Sequence, residues 1–144
     1  DFCLSRGLGD VYKRQISIHT RDAIDDTIEI IRICKVNKNG VLHCCPFNRE
    51  LVKQGLQAGY YIAFGGTSTF KNSKNANEII EMVPIDKILV ETDSPYLAPE
   101  PLRGTRNDSR NLKYVIAKLA DVKKVSKDEI AKVTYLNACK LFNI

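Results

Sequence analysis

Residues 88–101 read ILVETDSPYLAPEP. The apolar run at the start of this stretch is typical of a strand buried on both faces of a sheet. Two acids, Glu91 and Asp93, follow at a spacing of two residues, and three prolines then prevent regular structure. The stretch therefore predicts a buried strand that carries carboxylates at its carboxyl end and continues into a stiff loop.

Three further apolar segments resemble this strand, and helical patterns separate them. The predicted strands are residues 16–19 (ISIH), 40–43 (GVLH), 60–64 (YYIAF) and 87–90 (KILV). The predicted helices cover residues 21–36, a segment from the capping residue Asn48 to the stop at Gly59, and residues 73–82, 108–122 and 127–142. Alternating strands and helices predict an α/β fold with a parallel sheet. Four such units make half of a (β/α)8 TIM barrel, an incomplete barrel; a small open sheet with helices on both faces is the alternative.

Composition indicates one soluble domain and excludes a membrane-spanning protein. The chain has 144 residues, of which 44% are hydrophobic and 27% charged, and no apolar run reaches the length of a membrane helix. Its five cysteines are odd in number and form no C-x-x-C pair, which favours a reduced, cytoplasmic protein. The net charge of +5 is compatible with a polyanionic partner such as DNA, although lysine-rich chains are often basic for solubility alone.

The first fifteen residues, DFCLSRGLGDVYKRQ, show neither a helical nor a strand period. Part of this segment resembles a translated adapter sequence, and we predict that residues 1–15 are a non-native scar or a disordered arm. The alternative is a native N-terminal arm. Residues 16–144 are then the folded domain.

Polar side chains stand at the carboxyl ends of the predicted strands, where parallel α/β folds bind their ligands. The only two histidines, His19 and His43, end the first two strands, and Asp93 follows the fourth. Imidazole and carboxylate groups are the common ligands of zinc, manganese and iron, so these three residues predict a metal site. Glu91 lies on the same strand face as Asp93 and is predicted either to orient a metal ligand or to be a buried structural carboxylate.

Basic residues accompany this predicted site. Arg103 and Arg106 bracket Gly104 in the loop after Asp93, Asn107 follows, and Arg21 comes two residues after His19. Guanidinium groups match the oxygens of a phosphate, so these residues are candidates for substrate phosphate; solvated surface arginines are the alternative.

Two cysteines, Cys44 and Cys45, directly follow His43. A thiol nucleophile is one interpretation of this pair. Small buried apolar side chains are the favoured one, because cysteine is among the residue types most often found in cores.

The pattern of these motifs resembles the TatD-type metal-dependent deoxyribonucleases, a family of amidohydrolase-like (β/α)8 hydrolases. The resemblance covers residues 16–142 of this chain, and it is to the C-terminal half of the family's sequences alone. It rests on the segments ISIHTRDAIDDTIEII, GVLHCC, YYIAFGG with TFKN, ILVETDSPYLAPEPLRGTRN and TYLNACKLF. The Glu-Thr-Asp-Ser-Pro motif and the loop RGTRN are the most specific of these signals.

The resemblance implies that His19, His43 and Asp93 are metal ligands and that the parent enzyme hydrolyses DNA phosphodiester bonds. Two divalent cations per complete site would activate water and neutralise the phosphate, with Mg, Mn and Zn not distinguished. Asp93 would hold a metal, orient the attacking water and accept its proton. The DNA substrate is the implied partner.

One departure from the family pattern affects the expected activity. The family's N-terminal half carries a His-x-His strand and a metal-bridging Glu, and no histidine precedes His19 here. We therefore expect a truncated fragment with little or no activity, whose partner is the missing N-terminal half of the barrel or a second copy. Smaller departures, Ser109 for the usual Pro and Cys45-Pro46 for the usual Phe-Ser, remove no ligand.

Two other functions remain open from the sequence. A related barrel could hydrolyse another ester or an amide bond with similar ligands. A non-catalytic nucleic-acid-binding module could use Arg103, Arg106 and the lysine-rich closing helices, with salt-sensitive and metal-independent binding.

Overall fold

The computed structural model describes residues 15–34 and 40–144, and its core is a sheet of four parallel strands. The strands are β1 (Ser17–His19), β2 (Val41–His43), β3 (Tyr61–Phe64) and β4 (Ile88–Val90), in that order across the sheet. All four predicted strands are confirmed, each starting one residue later than the pattern indicated. The predicted scar, apart from Gln15, lies outside the described residues.

In the described residues, five α-helices accompany the strands: α1 (Ile24–Ile33), α2 (Arg49–Gln57), α3 (Ala76–Met82), α4 (Leu112–Lys123) and α5 (Lys127–Phe142). The side chain of Asn48 accepts a hydrogen bond from the Leu51 amide, so the predicted cap is confirmed. The side chain of Ser126 caps α5 in the same way by accepting from the Glu129 amide. The last residues of the predicted helix 21–36 fall outside the described part of the chain.

Three helices start later than predicted: α1 begins at Ile24 and not at residue 21, and a short turn precedes each of α3 and α4. Residue Asn75 has a left-handed φ of 64°, which delays α3 from residue 73 to Ala76. A 3-10 turn at Ser109–Asn111 precedes α4, with the side chain of Asp108 accepting from the Arg110 amide. Polar side chains that hydrogen-bond to nearby backbone groups favour such turns over a continued helix.

The larger hydrophobic core lies between one face of the sheet and the helices. Leu42, Ile62, Phe64 and Ile88 supply the strand side of this cluster, and α1 to α4 supply the rest together with the start of α5. The alternate strand residues point to the opposite face, as the period of two requires. On that face Val41, Tyr61, Ala63 and Leu89 form a smaller cluster with Leu141.

The strand order distinguishes the two architectures that the sequence left open. Strands that follow one another across the sheet, with the main core on one face, are the singly wound arrangement of a (β/α) barrel. An open sheet with helices on both faces requires the order to reverse at some point. The four strands of this sheet show no reversal.

Helix α5 is attached to the start of β4 by the side chain of Asn137. Its amide group donates to the carbonyl oxygens of Ile85 (2.9 Å) and Ile88 (2.8 Å), and the residue is buried. The side chain thereby satisfies two backbone acceptors at an outer strand of the sheet.

Across the described ranges, every helix is too short or too polar to cross a membrane.

Replacing Asn137 with alanine leaves the carbonyl groups of Ile85 and Ile88 without their donors. We expect the free energy of unfolding, measured with urea, to fall by about 2–4 kcal/mol. Lys132→Ala on the exposed side of the same helix is the control, with an expected change within about 0.5 kcal/mol. Equal stability of the two variants would contradict the anchoring role.

Candidate metal site at the carboxyl ends of the strands

Parallel register brings the two histidines together. Ser17 pairs with Val41 and His19 with His43, so both imidazoles lie at the same level of adjacent strands. Their ring centroids are 5.6 Å apart. Both side chains lie on the sheet face opposite α1 to α4, which corresponds to the interior of a barrel.

His43 lies between two carboxylates. Its Nδ1 atom is hydrogen-bonded to Oε2 of Glu91, and its Nε2 atom lies 3.2 Å from Oδ1 of Asp93. The side chain of His43 is 30% exposed, that of Asp93 25% and that of Glu91 17%, so the deepest acid meets the inner ring nitrogen. Glu91 therefore fixes the orientation of the ring, and Nε2 faces Asp93 at the rim.

Glu91 is held in place from a second direction. Its other oxygen, Oε1, accepts the backbone N–H of Cys44, whose φ of 44° is left-handed. Burial raises the pKa of Glu91, while the adjacent His43 and the Cys44 amide act in the opposite direction. A ring nitrogen that donates to a carboxylate is a recurring feature of metal-binding histidines, because it fixes the tautomer with the other nitrogen free.

The donor atoms of His43 and Asp93 have the spacing of ligands of one divalent cation. With Nδ1–H donating to Glu91, Nε2 keeps a free lone pair and faces Oδ1 of Asp93 at 3.2 Å, so both atoms can ligate one cation. Two ligands of one cation with bonds of about 2.0–2.1 Å lie roughly 3.3 Å apart in tetrahedral geometry, close to the separation of these two atoms. His43 and Asp93 therefore fit as a pair of ligands.

A complete metal centre is not formed by the described residues alone. Within residues 15–34 and 40–144, no three His, Cys, Asp or Glu side chains are grouped closely enough to hold a metal ion. His19 approaches His43 without joining such a group. The three-ligand set thus stays a prediction, with two of its members in contact.

The neighbouring thiols are protonated groups in this environment. Burial raises the pKa of Cys44 to about 12, with contributions from Asp93 and Glu91, and it raises the pKa of Cys45 to about 12 as well. Because the thiolate is the nucleophile, these values speak against a thiol mechanism. Cys45 is 4% exposed and packs in the larger core, as the favoured interpretation expected.

Asn107 braces the loop that follows Asp93. Its side-chain amide donates to the carbonyl oxygens of Thr92 and Tyr96, its Oδ1 accepts from Asn111, and its backbone N–H donates to Pro95. The residue is 2% exposed. Both amide protons of Asn107 are donated within the loop, so these contacts give no support to the predicted contact with substrate phosphate, which stays a prediction.

A second brace joins this loop to the end of β3. The carbonyl oxygen of Leu97 lies so close to Gly66 that a Cβ atom there would be 1.9 Å away. The backbone N–H of Glu100 donates to the hydroxyl of Thr69 at 2.8 Å. Only glycine permits this approach, so Gly66 helps to fix the position of the loop that begins at Asp93.

The predicted phosphate-binding arginines are placed differently from one another. Arg106 lines a shallow cavity of about 420 Å3 together with Thr92 and Ser94, the two neighbours of Asp93. Arg103 donates to Asn72 at 3.0 Å, with its guanidinium carbon 4.2 Å from the centroid of the Phe70 ring. Arg21 is exposed beyond the end of β1.

Two contributors to the site were missed by sequence reasoning. The Cys44 backbone N–H carries no sequence signal, because any residue has one. The role of Gly66 had a weak signal, the Gly65-Gly66 pair at a strand end, but the partner of that glycine lies some thirty residues further along the chain.

Four parallel strands in sequential order, with imidazole and carboxylate groups at their carboxyl ends, define the class of (β/α)-barrel proteins. A family model described as TatD related DNase matches residues 7–143, and the chain belongs to the TatD family.

Known relatives agree with this assignment. The chain is 42% identical over 138 residues to the uncharacterized metal-dependent hydrolase YcfH of Escherichia coli K12, covering 95% of this chain and 52% of that protein. It is 38% identical over 130 residues to the uncharacterized metal-dependent hydrolase YabD of Bacillus subtilis, covering 90% and 51%. The crystal structure of YJJV, a TatD homologue from E. coli K12, superposes with a TM-score of 0.88 at 26% identity, covering 95% and 53%. The chain spans about half the length of these relatives.

Gly66→Ala places a methyl group against the Leu97 carbonyl, so the loop after Asp93 has to move. We expect a loss of about 2–3 kcal/mol in the free energy of unfolding, as for other overpacked sites, and shifted amide resonances for residues 92–99. The control is Gly65→Ala, whose Cβ would meet its nearest atom at 3.4 Å, with a change below about 1 kcal/mol. Unchanged resonances in the Gly66 variant would show that the loop does not depend on this contact.

Proposed function

We propose that this chain forms one part of the active site of a metal-dependent hydrolase that cleaves DNA phosphodiester bonds. The observation that carries the proposal is His43 itself, held by Glu91 at Nδ1 and facing Asp93 with Nε2. Family membership supports the hydrolase class, and the family's description supports DNA as the substrate. The positive charge of the chain agrees with a polyanionic substrate.

The ligand residues have separate tasks in this proposal. His43 holds a cation through Nε2, Asp93 holds it through a carboxylate oxygen, and Glu91 keeps the imidazole in the required tautomer. His19, on the adjacent strand, is the third proposed ligand. Divalent cations, when bound, supply an activated water molecule and neutralise charge on the phosphate.

The substrate side of the site would use the remaining polar groups. The second oxygen of Asp93 can orient a water molecule and take up its proton. Arg106, beside Thr92 and Ser94, can bind a non-bridging phosphate oxygen. Asn107, the neighbour of Arg106, hydrogen-bonds to Thr92, the neighbour of Asp93, which limits the relative motion of Asp93 and Arg106 and so reduces the entropy cost of binding the phosphate.

The proposed partner is the remaining half of the barrel, which supplies further metal ligands. Apart from Tyr96 and Leu97 in the site loop, the large apolar side chains that are exposed in the described residues lie on or just after the two outermost helices. They are Ile30 and Ile33 of α1, and Tyr135, Leu136, Phe142 and Ile144 at α5. Strand β1 has no partner on its outer side within the described sheet, and this chain spans only about half of its relatives. A complementary (β/α) unit would cover these surfaces.

Metal affinity tests the proposed ligands directly. We expect Asp93→Asn and His43→Ala to weaken Mn2+ binding, measured by electron paramagnetic resonance, at least tenfold, and Glu91→Gln to weaken it about tenfold through the orientation of His43. Asp86→Asn is the matched control, because it removes the same charge at the opposite end of β4. Equal Mn2+ affinity in the Asp93 and Asp86 variants would remove Asp93 from the ligand set.

Activity tests the reaction. The chain alone should release at most traces of nucleotide from a labelled DNA oligonucleotide in Mn2+ or Mg2+. Mixing it with the part of E. coli YcfH that it does not match should restore release, and Asp93→Asn should abolish it again.

Three results would contradict parts of this proposal. Robust turnover by the chain alone, lost in His43→Ala, excludes the inactive-fragment hypothesis. Cleavage of small esters but not of DNA by the mixture favours another ester or amide substrate. DNA binding that survives both chelation and Asp93→Asn, without cleavage, favours the non-catalytic binding module.

A further inference from the structure

Tyr96 is an exposed aromatic residue on an otherwise immobilised loop. Its side chain is 74% exposed, whereas the residues that brace the loop, Asn107 and Gly66, are buried. Exposing the apolar surface of an aromatic ring to water is unfavourable, and exposed aromatic side chains are frequent at positions that contact a ligand. The proposed reaction assigns no task to this ring.

The backbone of Tyr96 is held at both of its hydrogen-bonding groups. Its N–H donates to the carbonyl oxygen of Asp93 at 2.9 Å, and its own carbonyl oxygen accepts from the Asn107 side chain at 2.9 Å. Leu97, the next residue, has a left-handed φ of 52° and rests its carbonyl oxygen against Gly66. The ring is therefore presented at a fixed place three residues from the proposed metal ligand, with only its own torsions free.

A basic residue of the same loop, Arg106, offers a contact for a phosphate group. Arg106 lines the cavity beside Thr92 and Ser94, on the same loop and immediately before the bracing Asn107. Arg106 would bind the phosphate of a nucleotide, and the ring of Tyr96 would contact its base. Every DNA sequence contains both of these parts. Aromatic side chains stack on all four bases, so such a contact is tolerant of sequence.

We propose that Tyr96 is a stacking platform for a nucleobase that neighbours the phosphate bound at the site. This inference rests on the proposed function and adds a substrate contact to it: the base, in addition to the phosphodiester group. It makes Tyr96 a determinant of substrate class, because an ester or a phosphate without a base gains nothing from the ring.

The chain contains no tryptophan, so Tyr96→Trp creates a single fluorescent reporter at this position. We expect a thymidine octamer with hydrolysis-resistant phosphorothioate linkages, added in Mg2+, to quench the emission of the introduced indole, while an octamer with the same linkages and abasic sugars does not. The control is Tyr135→Trp on α5, at a side chain of similar exposure (68%), where neither oligonucleotide should change the emission.

Affinity measured by fluorescence anisotropy of a labelled octamer provides the second measurement. We expect Tyr96→Ala to weaken binding about tenfold or more and Tyr96→Phe to retain it, since stacking needs the ring and not the hydroxyl. The abasic octamer should bind the wild-type chain and Tyr96→Ala equally. Thermal unfolding of each variant excludes loss of the fold as the cause.

The possible failures can be told apart. The stacking role is overturned if a bound octamer does not quench the emission of the Tyr96→Trp variant. It is also overturned if wild type and Tyr96→Ala bind the octamer with equal affinity. In either case, weaker binding by Arg106→Gln in the same assay leaves the proposed function intact. If neither octamer binds the chain, both the stacking role and the proposed contact with DNA fail.

Discussion

The candidate site depends on one constraint, the in-phase register of parallel strands. Parallel pairing aligns residues at equal depth, so the last residue of β1 lies beside the last residue of β2, and both are histidines. The backbone N–H of Glu91 donates to the carbonyl oxygen of Phe64, which continues the hydrogen bonding between β3 and β4. This bond fixes the position of Glu91 along the strands relative to the two histidines. A shift of one residue in any strand would turn its polar side chain into the helix-covered core, where an uncompensated charge is costly.

This constraint explains why so much of the fold could be predicted from the sequence. Apolar runs ending in His, Gly or Glu mark the strand ends, and the helical periods between them mark a parallel sheet. The pairing of His19 with His43 followed from the rule that parallel strands end at one edge. Asn48 and Ser126 were predictable as caps because their side chains act on amides within the next three residues.

The details that could not be predicted involve contacts between distant residues. Asn107 follows two arginines in a polar loop, and these sequence surroundings are typical of a residue that contacts phosphate. Its actual partners, Thr92 and Tyr96, are carbonyl groups that any sequence would offer. The closeness of Leu97 to Gly66 depends on how the end of β3 meets the loop after β4, which no local pattern encodes. Whether His19 joins His43 and Asp93 as a ligand stays a prediction, since no group of three such side chains is close enough to hold a metal ion within the described residues.

The hydrogen bonds of Asn107 affect which sequence changes this loop can tolerate during evolution. Asn107 hydrogen-bonds to Thr92 and Tyr96 and so fixes the two ends of the loop to each other, while Leu97 and Glu100 attach its first half to the end of β3. Residues 101 and 103–106 are exposed, and a side chain added at Gly104 would meet nothing within 4 Å. Lengthening a loop between fixed ends has only a slowly growing entropic cost. Insertions at this tip could therefore accumulate and diversify the surface above the site while leaving the spacing of Asp93 and His43 unaltered.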